Sequence, residues 1–398
     1  MAAATAPTPA AHFVVEWSGP ETGLARAVAS VGGELLRVHP EVSLAIVGGI
    51  DEGQATRLQR QGNIRHVVRD LLVQWIPRPV GPIQAVRADI SGDPPPLPPE
   101  GAVFYGCQWN LWQIDAPGAW SAGEFGDPDV KVAVLDTGID PTHLSLSGKV
   151  DLANSRSFID ILPSPCGDAD QNTILDYNFH GTFVASQIAS NGVGMASVAP
   201  NSQIVALKTN NCDGVGAFGD IVSGIVYAAG LDDVAVINMS LGAIFPKSLP
   251  GQPPAGLGLL VAYVNRAINY AASRGVLSVS AAGNEGLDLQ HSWNLISLPA
   301  EAGTGVSVYA TDNADGLASY SNYGVSATWV GAPGGDFPNA SPPLPQCPFP
   351  DFLQGALLGA CSSYQTLLPF ACDPFSYVIG GTGTSFASPM VAGVAALV

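Results

Sequence analysis

Residues 130–135 read Val-Lys-Val-Ala-Val-Leu, a continuous apolar run of strand length, and 203–207, 234–239 and 276–280 are built alike. Stretches with helical spacing lie between them, at 181–189, 220–229 and 259–273. Strands that are apolar on both faces and alternate with helices predict a parallel sheet covered on both sides. In such a sheet the working side chains collect at the carboxyl ends of the strands. From about residue 104 onward the chain is therefore expected to be α/β. No run of 18 apolar residues occurs, so no membrane-spanning helix is predicted.

A smaller unit precedes this one. Residues 12–17 form a short apolar strand. Residues 21–31 have helical spacing at Leu24, Ala27, Val28 and Val31, stopped by Gly32-Gly33. Two strands around Pro40, a second helix over 51–61 with Asp51 as its N-cap, and a last strand running to Trp75 complete the set. The order β-α-β-β-α-β is that of a small ferredoxin-like α+β domain over 12–76, and order alone does not separate it from other small α/β units. Residues 1–11 read as a flexible tail. Eight prolines between Pro77 and Pro99 predict an extended, exposed linker over 77–103. The large domain then spans 104–398, and its Pro-, Gly- and Ser-rich segment 335–380 reads as a surface insertion.

Charge divides at the same place. The chain carries 15 basic and 33 acidic residues, and residues 91–398 account for all of the net −18. An acidic surface excludes nucleic acid as a partner, because phosphates need a basic one. None of the six cysteines (107, 166, 212, 347, 361 and 372) forms a CxxC pair, which argues against a thiolate zinc site. An even number in an acidic, lysine-poor chain leans towards disulfides and an extracytoplasmic location, with the pairing left open. The first ten residues have neither the basic nor the apolar region of a signal peptide.

Three segments carry chemistry. In Val134-Leu-Asp-Thr-Gly-Ile-Asp140 a carboxylate follows a buried strand; taken alone, Asp136 would merely end that strand. In Asn178-Phe-His-Gly-Thr-Phe-Val-Ala185 an imidazole stands at the start of a small-residue helix. Only three histidines occur after residue 90, so the choice of general base is narrow. In Gly381-Thr-Gly-Thr-Ser-Phe-Ala-Ser-Pro-Met390 a serine opens an apolar helix, where it is either a cap or a nucleophile favoured by free N–H groups. A fourth segment, Ser280-Ala-Ala-Gly-Asn-Glu-Gly286, supplies Asn284, a donor of the type an oxyanion requires.

With these residues in that order the sequence closely resembles the subtilisin-like serine proteases, the subtilases. Their signatures match at Asp136-Thr-Gly, His180-Gly-Thr and Gly383-Thr-Ser-Phe-Ala-Ser-Pro389. The order Asp, His, Ser is that of subtilisin and differs from chymotrypsin and the α/β-hydrolases. An esterase of the latter fold would need Gly-x-Ser-x-Gly, and no glycine stands two residues after Ser385. The resemblance covers about 104–398 and implies a three-layer catalytic domain. It implies Asp136, His180 and Ser385 as a triad, Asn284 as oxyanion donor, and a secreted, monomeric serine endopeptidase acting on polypeptides. Substrate would pair with Gly214, Val215 and Gly216 on one side and Ser240, Leu241 and Gly242 on the other. The primary pocket would be walled by Ser240–Gly242 and by Ala281, Ala282 and Gly283. Small apolar walls favour a large apolar side chain before the cut, and Glu285 near the rim would tolerate a basic one. Residues 12–76 resemble the family's inhibitory propeptide, with self-processing expected within 77–104.

No cofactor is implied. Ser145 falls where many relatives carry a calcium-binding Asp, so the common calcium site is expected to be absent; Asp140 and the acids near 168–176 leave a cation elsewhere open. The chain stops 13 residues after Ser385, where relatives continue, so a truncated sequence is expected. The rival reading is a catalytically silent subtilase-like binding or scaffold protein, which loss of a triad residue would favour.

Overall fold

The computed structural model describes residues 11–79, 81–88, 99–159, 166–247, 255–325, 327–337, 344 and 346–398. The amino-terminal unit comprises β1 (Phe13–Trp17), α1 (Glu21–Ser30), β2 (Glu34–His39), β3 (Leu44–Gly48), α2 (Glu52–Gln59) and β4 (Ile64–Arg69). Its four strands pair antiparallel in the order β2-β3-β1-β4. Alternation along the strands divides the sheet into two faces. Phe13, Val15, Ala45 and Val47 pack beneath Leu24, Val28 and Leu58 of the two helices. Val14, Leu44, Ile46 and Val68 face the other way and join the core of the large domain. Asp51 caps α2 in a reciprocal box with Gln54.

Two further strands follow. The predicted run to Trp75 does not extend the small sheet. It turns away as β5 (Leu72–Gln74), and β6 (Gln84–Arg87) lies beyond it. Both find partners only in the large domain.

That domain opens with α3 (Trp109–Gln113) and α4 (Ala116–Ser121), then β7 (Lys131–Asp136), β8 (Arg156–Ser157), α5 (His180–Ile188) and β9 (Gln203–Lys208). It continues through β10 (Val215–Ala217), α6 (Phe218–Ala229), β11 (Val234–Met239), β12 (Ala243–Pro246), α7 (Ala255–Ser273) and β13 (Leu277–Ala281). The last elements are β14 (Leu295–Leu298), β15 (Val306–Thr311), β16 (Val330–Pro333), β17 (Leu357–Ala360), β18 (Ser376–Gly381) and α8 (Thr384–Leu397). Seven strands form one parallel sheet in the order β16-β15-β13-β11-β7-β9-β8. Val132 and Val134 point to the layer containing α5 and α8. Ala133 and Leu135 point to the layer containing α6 and α7. The result is a three-layer α/β domain with a small α+β domain seated on it.

One expectation needs refinement and another correction. The linker is extended and mostly exposed over Gln84–Arg87, as expected, but it is also anchored there, because β6 pairs antiparallel with β18 and Ala88 is buried. The segment 335–380 is not only a surface insertion. β17 is fully buried and pairs with β18, giving the sheet β17-β18-β6. Its Pro, Gly and Ser content concealed two short apolar strands. The cysteines pair as Cys107–Cys347, Cys166–Cys212 and Cys361–Cys372.

Candidate active site

The parallel sheet delivers Asp136 as the last residue of β7, one of its central strands. Its Oδ1 accepts hydrogen bonds from the Thr137 N–H at 2.7 Å and lies 2.8 Å from His180 Nδ1. Asp136 is 1% exposed and His180 6% exposed, so the pair sits in a region of weak dielectric screening. His180 begins α5. The residue before it, Phe179, has φ +116°, a conformation that costs a bulky residue energy and recurs at functional sites. The residue after it must be glycine. A Cβ on Gly181 would collide with the Gly138 carbonyl, so only glycine lets α5 approach the end of β7 this closely.

A third carboxylate holds this approach. Asp176 is fully buried and accepts from Thr137 Oγ1 (2.9 Å), the Asn178 and Phe179 N–H groups (both 3.0 Å), and the Thr182 N–H and Oγ1 (2.9 and 2.7 Å). It thereby ties the loop before His180 to the strand end that carries Asp136. Beside it, Lys208 at the end of β9 is fully buried and pairs with the fully buried Asp170 at 2.6 Å. Burial raises the Asp176 carboxyl above its ordinary range and lowers the Lys208 ammonium. The acids at 170 and 176, which the sequence left open for a cation, are thus buried structural groups already engaged by protein donors. Sequence reading missed them because burial of an acid leaves no local pattern; only the proximity of Asp176 to His180 hinted at it.

Ser385 is the second residue of α8, in the first turn, whose N–H groups lack partners inside the helix. No hydrogen bond joins Ser385 Oγ to His180 Nε2 among the described residues; such bonds often close only in the substrate complex. Both side chains line one cleft of about 510 Å³ together with Asn284. Asn284 Oδ1 accepts from the Thr384 N–H and Oγ1, both at 2.9 Å. Its carbonyl is therefore anchored, and its amide N–H₂, with no acceptor among the described residues, is left for a ligand.

The remaining predicted residues divide into two groups. Gly214, Val215 and Gly216 on one side and Gly242 on the other enclose the chain's own segment 72–76. β5 pairs antiparallel with β10, Val215 opposite Gln74 and Gly216 opposite Val73. The Gly214 carbonyl accepts the Trp75 and Ile76 N–H groups, and the Gly242 N–H donates to the Trp75 carbonyl at 2.9 Å. Trp75 is 1% exposed; its ring meets Phe218 and Phe245, and its indole N–H reaches the Gly216 carbonyl. Leu241 belongs to the same apolar cluster. Ser240 instead bonds inward to Ser388 at 2.8 Å. Ala281, Ala282 and Gly283 lead from β13 to Asn284 and make no hydrogen bond to segment 72–76. Glu285 accepts from Asn322 at 2.6 Å and lines the cleft.

The position expected to lack a calcium ligand does not fit a metal. Ser145 Oγ is bonded to the Tyr377 hydroxyl at 2.8 Å, in a fully buried setting. Asp140 is likewise consumed, accepting from Thr142 and from the Ser363 N–H. Among the described residues no group of three or more His, Cys, Asp or Glu side chains is arranged to hold a metal ion. No described helix is long and apolar enough to cross a membrane.

Comparison with known proteins places the chain in a family. The profile of the Subtilase family matches residues 127–398. Subtilisin BL of Lederbergia lenta is 34% identical over 292 residues, 73% of this chain and 83% of its own. The alkaline protease of Alkalihalobacillus alcalophilus is also 34% identical over 292 residues, but these make up 59% of its length. Among solved structures, the epidermin leader peptide processing serine protease of Staphylococcus aureus superposes with a TM-score of 0.74, covering 98% of this chain and 88% of that one. At 21% identity that likeness is one of fold. A lanthipeptide protease is 29% identical with a TM-score of 0.57, over 77% of this chain and 84% of its own.

Proposed function

This chain belongs to the subtilase family of serine proteases, and from that premise we propose that it is an endopeptidase made as a self-processing zymogen. Ser385 Oγ attacks a peptide carbonyl while His180 Nε2 takes its proton. Asp136 holds the Nδ1–H tautomer and stabilises the imidazolium. The Asn284 amide and the Ser385 N–H receive the oxyanion, and losing one such donor costs about 10²–10³ in turnover. His180 returns the proton to the leaving amine, and water releases the acyl group.

The observation that carries this reading is the chain's own segment 72–76. It lies as an added strand between Gly214–Gly216 and Gly242, and the residues after it, Pro77 and Arg78, line the cleft of His180 and Ser385. Backbone pairing of this kind is how an extended peptide is held. A chain that enters its own cleft this way is both first substrate and inhibitor. Because Gly81 and Ile83 line the same cleft, the processed bond falls within 77–83, narrower than the linker as a whole. Three disulfides support an extracytoplasmic place of action.

The test is labelling with a fluorophosphonate probe beside Ser385→Ala, with the amino terminus of each product sequenced. The reading expects labelling of the native chain only, and a new amino terminus at 78–83. Equal labelling of both proteins, or none with the chain intact, favours the silent scaffold.

A further inference from the structure

Processing within 77–83 leaves β6 on the enzyme side of the cut. We infer that this strand stays in place and closes the leaving-group side of the cleft, so that β6 limits how much substrate the mature enzyme reads beyond the scissile bond. The inference rests on the self-processing reading above.

β6 is not held like a departing propeptide. It pairs with β18 at four successive positions, Gln84 opposite Ile379 through Arg87 opposite Ser376. The Ala88 N–H then donates to the Phe375 carbonyl, and Ala88 is 2% exposed in an apolar cluster with Leu358 and Tyr377. Arg87 forms an ion pair with Asp373 and lies over the Phe375 ring at 5.3 Å. Downstream, Cys107 is bonded to Cys347, which fixes the continuing chain to the body of the domain. The amino-terminal domain loses its covalent tie when the linker is cut, whereas β6 keeps its own. A tethered strand rebinds at high effective concentration and does not diffuse away.

Its position decides what it does. β18 ends at Gly381, four residues before Ser385. A substrate strand leaving the nucleophile runs back along Gly383, Thr382 and Gly381 and then needs the edge of β18. From Gly380 on, that edge is taken. The Pro82 carbonyl and Ile83 lie so close to Gly380 that a Cβ there would collide with both. With one residue per strand position, about three leaving-side residues find open backbone, and later ones find a filled edge. Selection among polypeptides then falls on the acyl side, along Gly214–Gly216 and Gly242.

The experiment uses mature enzyme prepared from the full chain. A recognition site for an unrelated, sequence-specific protease is inserted within 89–98. Residues up to 88 are then cut away after folding, which avoids variants that fail to fold. Peptides with one fixed acyl-side sequence and one to eight leaving-side residues are compared by kcat/KM, before and after trimming. The expected result is a plateau after about the third leaving-side residue in untrimmed enzyme. Trimmed enzyme should gain about tenfold on longer peptides, the worth of one or two backbone hydrogen bonds. Mass spectrometry should find residues 84–88 retained in the mature chain. A mature amino terminus beyond Ala88, a continued rise in untrimmed enzyme, or no gain on trimming overturns the inference and leaves the protease reading intact. Failure to cleave any peptide refutes both.

Discussion

In the self-processing zymogen proposed above, Trp75 is the residue on which latency turns. Its side chain is 1% exposed, meets Phe218 at 5.0 Å and Phe245 at 5.8 Å between ring centroids, and donates its N–H to the Gly216 carbonyl at 3.1 Å. Replacing a buried tryptophan by alanine costs about 3–5 kcal/mol. At about 1.4 kcal/mol per tenfold, Trp75→Ala should weaken the cut propeptide's hold by roughly a hundredfold to a few thousandfold. Trp75→Phe keeps the ring contacts and loses one hydrogen bond of about 1 kcal/mol, so it should weaken the hold by less than about tenfold. The assay is to dilute each processed, non-covalent complex and follow peptide hydrolysis. The concentration at which half the activity appears gives the inhibition constant. If Trp75→Ala falls within threefold of native, the anchor reasoning is wrong and the backbone ladder to β10 alone holds the tail.

Acid should loosen the same complex. His39 Nε2 lies 2.8 Å from Ser223 Oγ at the seam between β2 and α6, beside Arg37, which is paired with Asp220. Burial, and after it the Arg37 charge, lowers His39 to about 4 from an ordinary 6.5. The released domain therefore binds a proton before the docked one does. The neutral ring's contribution is complete above 6.5 and is lost as pH falls from there towards 4. Complex dissociation should rise over that window, and His39→Gln should flatten the slope. Asp176→Asn turns amide N–H₂ towards donors that a carboxylate now accepts. It should cost about 3 kcal/mol or more and slow fluorophosphonate labelling, read by a thermal melt and by labelling rate. Joint replacement of Cys166 and Cys212 by serine should cost about 2–4 kcal/mol in a thermal melt. It should also raise KM more than it lowers kcat, because Cys212 precedes β10, the strand that pairs with the chain's own segment 72–74 and is proposed to hold substrate.

Local pattern determined much of this protein. Apolar runs such as Val132–Leu135 become strands because they are buried on both faces, and Asp136, His180 and Ser385 stand at strand and helix ends that short segments announce. What no window of sequence contains is which distant edges meet. Leu72–Gln74 reads as the end of a small sheet until β10, more than a hundred residues later, offers a better edge. Gln84–Arg87 lies among prolines and reads as linker until β18 pairs with it. Asp170 and Asp176 show in the sequence only as acids that leave a cation open, because their donors, Lys208 and Thr182, arrive only when β9 and α5 pack beside them. Strand pairing and the burial of charge depend on partners far apart in the chain, and so the tertiary structure alone decided how the cleft is filled.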